Sequence, residues 1–305
     1  MNRREFLYWQ VGAAVFTLSG HMLGRPTQAL AAQEPDLVLV KGEPAAATRK
    51  AVDLLGGMAS FVRPGDKVVI KPNMSFDQPA EAGTNTHPAV VQALAGLCSQ
   101  AGASKISVLD HTLRGAEMCL EKSGIREASR AVERCEIDTR SAPSQFKTVG
   151  IPDGRQLRST EVMQEVLAAD VLIAAPTAKH HSSTGVSLSL KGMMGLIYNR
   201  SEMHWKYDLH ESIVDLCTLL KADLTVIDAS YALTENGPSG PGKVVTLETV
   251  IASRDMVAAD AKAVELVKWY GRSIPPSKVK HIRLAHERGL GSMDLGRLRQ
   301  KAATA

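Results

Sequence analysis

Short apolar runs alternate with stretches of helical period along most of this chain. Residues 36–40 form an apolar strand pattern, and residues 44–60 follow with Val52, Leu55 and Ala59 on one helical face. Pro64-Gly65-Asp66 turns the chain into Lys67-Val68-Val69-Ile70-Lys71, a strand that Pro72 stops. Residues 88–100 read as a helix with Val91, Leu94, Ala95 and Cys98 facing inward, and Gly102 ends it before a strand over 105–109. The rhythm returns as a helix over 160–169, a strand over 171–174, a helix over 211–220 and a strand over 224–227.

This succession predicts βαβ units: an α/β fold with a largely parallel central sheet flanked by helices. Residues 111–159 read as an elaboration on that sheet within one α/β domain spanning 33–305. The elaboration contains two helical stretches and then a hairpin, with arms at 146–149 and 155–158 about Pro152-Asp153-Gly154. Residues 244–251 are strand-like and fit an antiparallel edge, Asp255 can open a helix, and 277–286 reads as another. The small polar residues 297–305 are expected to fray.

The N-terminus has a different grammar. Arg3-Arg4 precedes a short apolar stretch from Val11 to Leu18, and Ala29-Leu30-Ala31 supplies a small-x-small cleavage pattern. Residues 1–32 are therefore expected to be a twin-arginine signal peptide. Its partner is the twin-arginine export machinery, and cleavage near Ala31 would release the mature protein into the periplasm or another extracytoplasmic space. The apolar stretch is well short of the 18 or so residues of a membrane span, so the mature domain is not expected to cross a membrane.

The formal charge of +4 falls to +2 once Arg3, Arg4, Arg25 and Glu5 leave with the signal, too little to support nucleic-acid binding. Four cysteines, Cys98, Cys119, Cys135 and Cys217, allow three pairings, with Cys98 and Cys217 reading as buried thiols inside helical patterns. No Cys-x-x-Cys occurs, so no intrinsic ferredoxin-type iron-sulfur cluster is expected.

Ligands of open α/β sheets bind beyond the carboxyl ends of the strands. There this sequence places Lys71-Pro72-Asn73, Asp110-His111, the run from Pro176 to His181, and Asp228. The densest chemistry lies between Lys179 and His210. His181, His204 and His210 with Asp228 could hold a divalent metal, or a histidine could exchange protons while lysine stabilises charge developing on a substrate. Lys71, Lys179 and Lys191 fit a small anionic ligand, with Lys179, Thr184, Gly185 and Lys191 as a cradle for a cofactor or anion. No Gly-x-Gly-x-x-Gly follows the first strand and no nucleotide P-loop is present, which argues against an ordinary nicotinamide dehydrogenase or ATPase.

Read together, Lys71-Pro72-Asn73, Thr86-His87-Pro88, Pro176-Thr177-Ala178-Lys179-His180-His181, Ser189-Leu190-Lys191-Gly192-Met193-Met194-Gly195, Val226-Ile227-Asp228-Ala229 and Glu235-Asn236-Gly237-Pro238 resemble the family called domain of unknown function 362, over about residues 36–295. The resemblance implies association with iron-sulfur domains or redox settings, although this chain lacks the ferredoxin-type cysteine tract. It carries over Lys71, Asn73, His87, Lys179, His181, Lys191, His204, His210 and Asp228 as candidate site residues; of these Lys71, Asn73, His87, Lys179, His181, Lys191 and Asp228 are the candidates for catalysis. The expected function is an exported enzyme or cofactor-dependent accessory protein. A non-catalytic metal- or anion-binding protein is the alternative, and a structural or assembly partner is the third reading.

Overall fold

The structure, a computed structural model, describes residues 34–305; the signal expected over 1–32 lies outside the described residues. The first half runs β1 (Leu37–Lys41), α1 (Pro44–Leu54), β2 (Lys67–Pro72), α2 (Pro88–Gln100), β3 (Lys105–Asp110), α3 (Ala116–Lys122), α4 (Ile125–Ser129) and β4 (Cys135–Thr139). A hairpin of β5 (Phe146–Gly150) and β6 (Ser159–Met163) leads through α5 (Gln164–Ala168) into β7 (Val171–Ala175), β8 (Thr177–His181) and β9 (Gly185–Ser187). The chain then forms α6 (Ser189–Gly192), α7 (Glu202–Trp205), α8 (Leu209–Leu219), β10 (Leu224–Leu233), β11 (Val244–Ser253), α9 (Met256–Leu266), α10 (Lys280–Glu287) and β12 (Gln300–Thr304).

The main sheet has the order β12-β1-β11-β10-β7-β2-β3-β4, and β11 alone in that row runs against its neighbours. The α/β fold with a largely parallel sheet is therefore as the sequence predicts, and β10, β7, β2 and β3 are consecutive neighbours. Beyond β11 the sheet continues through β1 and β12.

Alternation along the strands fills two cores. Val68, Ile70, Val171 and Ile173 pack with α1 and α2 on one face, while Val69, Leu172 and Ala174 pack with α8, α9 and α10 on the other. Helix starts follow their sequence signals. Glu43 caps α1 ahead of Pro44, and the Asp255 carboxylate accepts from the amides of Val257 and Ala258 at the start of α9.

Three segments differ from expectation. Residues 160–169 are half strand: Ser159–Met163 pairs with β5, Phe146 opposite Met163, and only Gln164–Ala168 is helical. The second arm of the hairpin therefore lies later than 155–158. The C-terminal residues do not fray, because Gln300–Thr304 adds to β1 in parallel and Arg299 pairs with Asp36 at 2.5 Å. Lys179, His180 and His181 lie in β8, which pairs with β10 and turns back into β9, rather than in a loop after β7. Residues 111–159 contribute β4 to the edge of the main sheet as well as the first arm of the hairpin.

All four cysteines are free, with Cys98, Cys119 and Cys217 buried. Among the described residues no helix is long and apolar enough to cross a membrane.

Candidate functional site

From β2 the chain moves outward to β3 and β4, then returns to lay β7 and β10 on the opposite side of β2. The order reverses between β2 and β7, where the connections leaving the strand ends diverge and leave a crevice. A cavity of about 240 Å³ opens there, lined by Lys71 and Asn73 after β2, Asp110 at the end of β3, Lys179 and His181 of β8, and Lys191 of α6. Ser75, Phe76, Gly195, Arg200 and His204 also line it.

Six of the nine residues carried over from sequence thus meet in one cavity. The others do not line it. His87 caps α2: its Nδ1 accepts from the Ala89 amide at 3.2 Å, and its own amide donates to Asp228 Oδ2 at 2.7 Å. Asp228 also accepts from the Ser230 amide at 2.9 Å, so its carboxylate ties the start of α2 to β10. His210 stacks on the buried His281 with ring centroids 5.7 Å apart. Thr184 and Gly185 make the tight β8–β9 turn, where Gly185 takes the positive φ of +79°. Their expected part in a cradle is not seen.

The divalent set expected from His181, His204, His210 and Asp228 is therefore not assembled. Only His181 and His204 are close, stacked at 6.2 Å between ring centroids, and among the described residues no three His, Cys, Asp or Glu side chains are arranged to hold a metal. The cavity's surplus of lysine and arginine also opposes a bound cation. This donor set does not fit a protein-held divalent metal.

Four cations surround one carboxylate. Lys71, Lys179 and Lys191 are 3%, 3% and 9% exposed, and Asp110 is 1% exposed. Lys71 Nζ lies 3.2 Å from Asp110 Oδ1 and also donates to the Pro72 carbonyl. The other carboxylate oxygen, Oδ2, accepts from the Met74 amide at 3.1 Å and the Ser75 hydroxyl at 2.7 Å, which fixes the carboxylate. Lys179 Nζ donates to the Thr84 carbonyl and lies 5.0 Å from the centre of the Phe76 ring. Arg200 directs its fork at two successive carbonyls, those of His111 and Thr112, and so fastens its segment to the loop after β3.

Lys191 differs from the other lysines. Its amine makes no hydrogen bond or ion pair with any described residue, and the charges that act on it are those of the cations Arg200 and Lys71. The backbone beneath it is fixed, because Asp260 of α9 accepts from the Ser189 hydroxyl at 2.6 Å and the amides of Ser189 and Leu190 at 2.8 and 3.0 Å.

Burial and crowding bring these groups toward neutrality. Burial first, and then Lys71 and Lys191, bring Lys179 down to about 7 against the pull of Asp110. Burial, then Arg200 and Lys71, bring Lys191 down to about 7. Lys71 is lowered by burial with Asp110 opposing. His181 is pushed down to about 2 by burial and then by Lys191, His204 and Lys179, so its imidazole is neutral. Its Nδ1 accepts from the Ser183 amide at 3.1 Å, which leaves the proton on Nε2.

Sequence reasoning placed Asp110 at the rim without choosing it as a site residue, and among the other polar lining residues it did not single out Ser75 or Arg200. Asp110 carries a visible signal, a charged residue ending a parallel strand; Ser75 and Arg200 carry none.

The thylakoid-associated protein sll1697 of Synechocystis sp. (strain ATCC 27184 / PCC 6803 / Kazusa) is 26% identical over 238 residues, covering 75% of this chain and 72% of that protein. The lactate racemase apoprotein from Thermoanaerobacterium thermosaccharolyticum superposes with a TM-score of 0.48 at 14% identity over 77% of this chain, and the chain spans 58% of that protein. Residues 68–265, from β2 to α9 and including the strand ends around the cavity, match the family described as domain of unknown function (DUF362), and the chain belongs to that family.

Proposed function

We propose that the protein is an exported enzyme whose substrate is a small organic anion bearing two or more negative charges. One observation carries this reading: three buried lysines and the half-buried Arg200 line a cavity in which Asp110 is the one carboxylate. Buried charge without a partner is costly, and here the cost is relieved by lysines that give up their protons. A polyanion would offset that surplus and draw the protons back. At about 240 Å³ the space is below the roughly 300–1,000 Å³ of pockets for drug-sized ligands, which favours a compact metabolite.

The side chains divide the work by chemistry. Arg200 and Lys71 are held by carbonyls and by Asp110, so they orient charge without leaving their places. Lys179 and Lys191, near neutrality at working pH, are matched to proton transfer, and the neutral His181 offers an Nε2–H donor. No metal enters this account.

Thermal unfolding and calorimetric titration with phosphate, malonate, citrate and 2-oxoglutarate test the reading. Wild-type protein should be stabilised by about 2.7 kcal/mol at a concentration 100 times Kd, and Lys179→Met and Arg200→Gln should each lose most of that gain. Equal responses in wild type and variants would defeat it.

Export rests on Arg3-Arg4 and the Ala29-Leu30-Ala31 pattern. Replacing both arginines by lysine should leave folded precursor in the cytoplasm; unimpaired transport would remove the twin-arginine route.

A further inference from the structure

We propose that Lys191 is a covalent catalytic residue, its amine condensing with the carbonyl of an anionic oxo acid to form an imine. The inference rests on the anion-cavity reading and goes beyond it by naming the bond that forms.

The three cavity lysines differ in what holds them. Lys71 is occupied by Asp110 and the Pro72 carbonyl. Lys179 is occupied by the Thr84 carbonyl, and the face of Phe76 favours its charged form. Lys191 lines the same cavity at 9% exposure with no acceptor among the described residues, on a short helix whose first amides are bound to Asp260. A nucleophilic amine must be unprotonated and free of hydrogen bonds that occupy its lone pair or fix its charge. Desolvation and neighbouring cations produce that state, and Lys191 has both, with Arg200 and Lys71 as the cations.

The surrounding cations also select the electrophile. A carbonyl compound carrying carboxylates would be drawn in by Arg200, Lys71 and Lys179, whereas a neutral aldehyde or ketone gains nothing from them. In the step itself the Lys191 lone pair forms the C–N bond and the carbonyl oxygen departs as water with both amine protons, leaving a C=N bond. No oxidant or reductant is required. Protonation of that imine gives an iminium whose charge the substrate carboxylates offset, and which withdraws electrons from the adjacent carbon.

The test is reductive trapping on the full mature chain with pyruvate, oxaloacetate and 2-oxoglutarate, each in the presence of cyanoborohydride, followed by peptide mass mapping. A reduced adduct on the peptide containing Lys191 is expected with at least one acid. It should be absent from Lys191→Arg, which keeps the charge, and from Lys191→Gln, while calorimetry shows that Lys191→Arg still binds the acid. An adduct confined to Lys71 or Lys179 overturns the proposal, as does the absence of any adduct while the acids bind. If none of the acids, and none of the simple anions, binds the wild-type protein, the cavity reading fails and this inference falls with it.

Discussion

Lys71 and Asp110 form an ion pair, 3.2 Å between Nζ and Oδ1, at the ends of adjacent parallel strands with both side chains almost wholly buried. Oδ1 has no other partner among the described residues. Removing one member of such a pair leaves the other charge uncompensated, at a cost of about 3–5 kcal/mol. Asp110→Asn preserves an acceptor for the Met74 amide and the Ser75 hydroxyl, so the loss should fall on Lys71. Denaturant unfolding should show the decrease in anion-free buffer, and citrate should restore more stability to this variant than to wild type. A variant indifferent to citrate would contradict an anion site beside Lys71.

Gly195 shows how closely the pair is covered. A Cβ at this position would lie inside contact distance of Asp110 Oδ1 and of the Lys71 side chain. The Gly195 carbonyl also accepts from the His111 amide at 2.9 Å, so this backbone cannot simply withdraw. Gly195→Ala is expected to cost about 1–3 kcal/mol of stability through overpacking and to weaken anion binding at least tenfold. Unchanged binding in the calorimeter would show that the pair tolerates displacement.

Much of this architecture is legible in the sequence because buried parallel strands are written as unbroken apolar runs. Val68-Val69-Ile70 and Val171-Leu172-Ile173-Ala174 fill both cores, and the charged residues after them mark the rim. Residues 160–169 mislead because Val162, Val166 and Ala169 also satisfy helical spacing, and only pairing with β5 decides the matter. Gln300–Thr304 has no apolar pattern; its strand depends on β1 and on the distant Asp36–Arg299 pair. The histidines of the 179–210 segment look alike in sequence, yet His181 faces the cavity while His210 packs on His281 from α10. Arg200 is informative only once its fork is seen on the loop after β3.

Stability should rise with pH above neutrality in the ligand-free protein. Burial and neighbouring cations bring Lys179 and Lys191 down to about 7 in the folded chain, from an ordinary lysine value of 10.5. Between those limits the unfolded chain binds protons that the folded chain does not, and stability therefore increases with pH through the window. Urea unfolding from pH 7 to 9 should register a gain on the order of 4–5 kcal/mol for the two lysines together, since each contributes up to about 1.36 kcal/mol per pH unit across this window. A bound polyanion should flatten the slope and be accompanied by proton uptake, read as a dependence of binding heat on buffer ionisation. Below pH 7 the raised carboxyl of Asp260 and the lowered imidazoles of His181 and His281 act in opposite senses, so the informative range lies above neutrality.

Asp260 is a positioning residue. Burial pushes its carboxyl up to about 7 against hydrogen bonds from Ser189 and Leu190, and those bonds set where α6 begins. Asp260→Asn presents an amide N–H₂ where donors already converge, and a buried unsatisfied group costs about 1–3 kcal/mol. The variant should lose that stability and bind anions more weakly, whereas Ser189→Ala, which removes one donor and leaves the carboxylate, should do less of both. If Asp260→Asn bound anions as well as wild type, the Asp260 contacts would not be setting the position of Lys191.

The reactivity of Lys191 should be governed by Arg200. After burial, Arg200 is the foremost influence lowering this lysine, followed by Lys71, and the neighbouring imidazoles of His181, His204 and His281 are themselves lowered. Replacing Arg200 with Gln removes one positive charge, so Lys191 should hold its proton to higher pH. It should then react more slowly at pH 7.5 with a small amine reagent such as trinitrobenzenesulfonate, followed by peptide mapping. The midpoint of its pH–rate profile should move up by about one unit, the size expected for a nearby charge acting across a mostly desolvated cavity. Arg200→Lys retains the charge but not the fork on the His111 and Thr112 carbonyls, so it should keep the midpoint near the wild-type value while weakening anion binding through a looser wall. Equal midpoints in wild type and Arg200→Gln would mean that burial alone sets the state of Lys191.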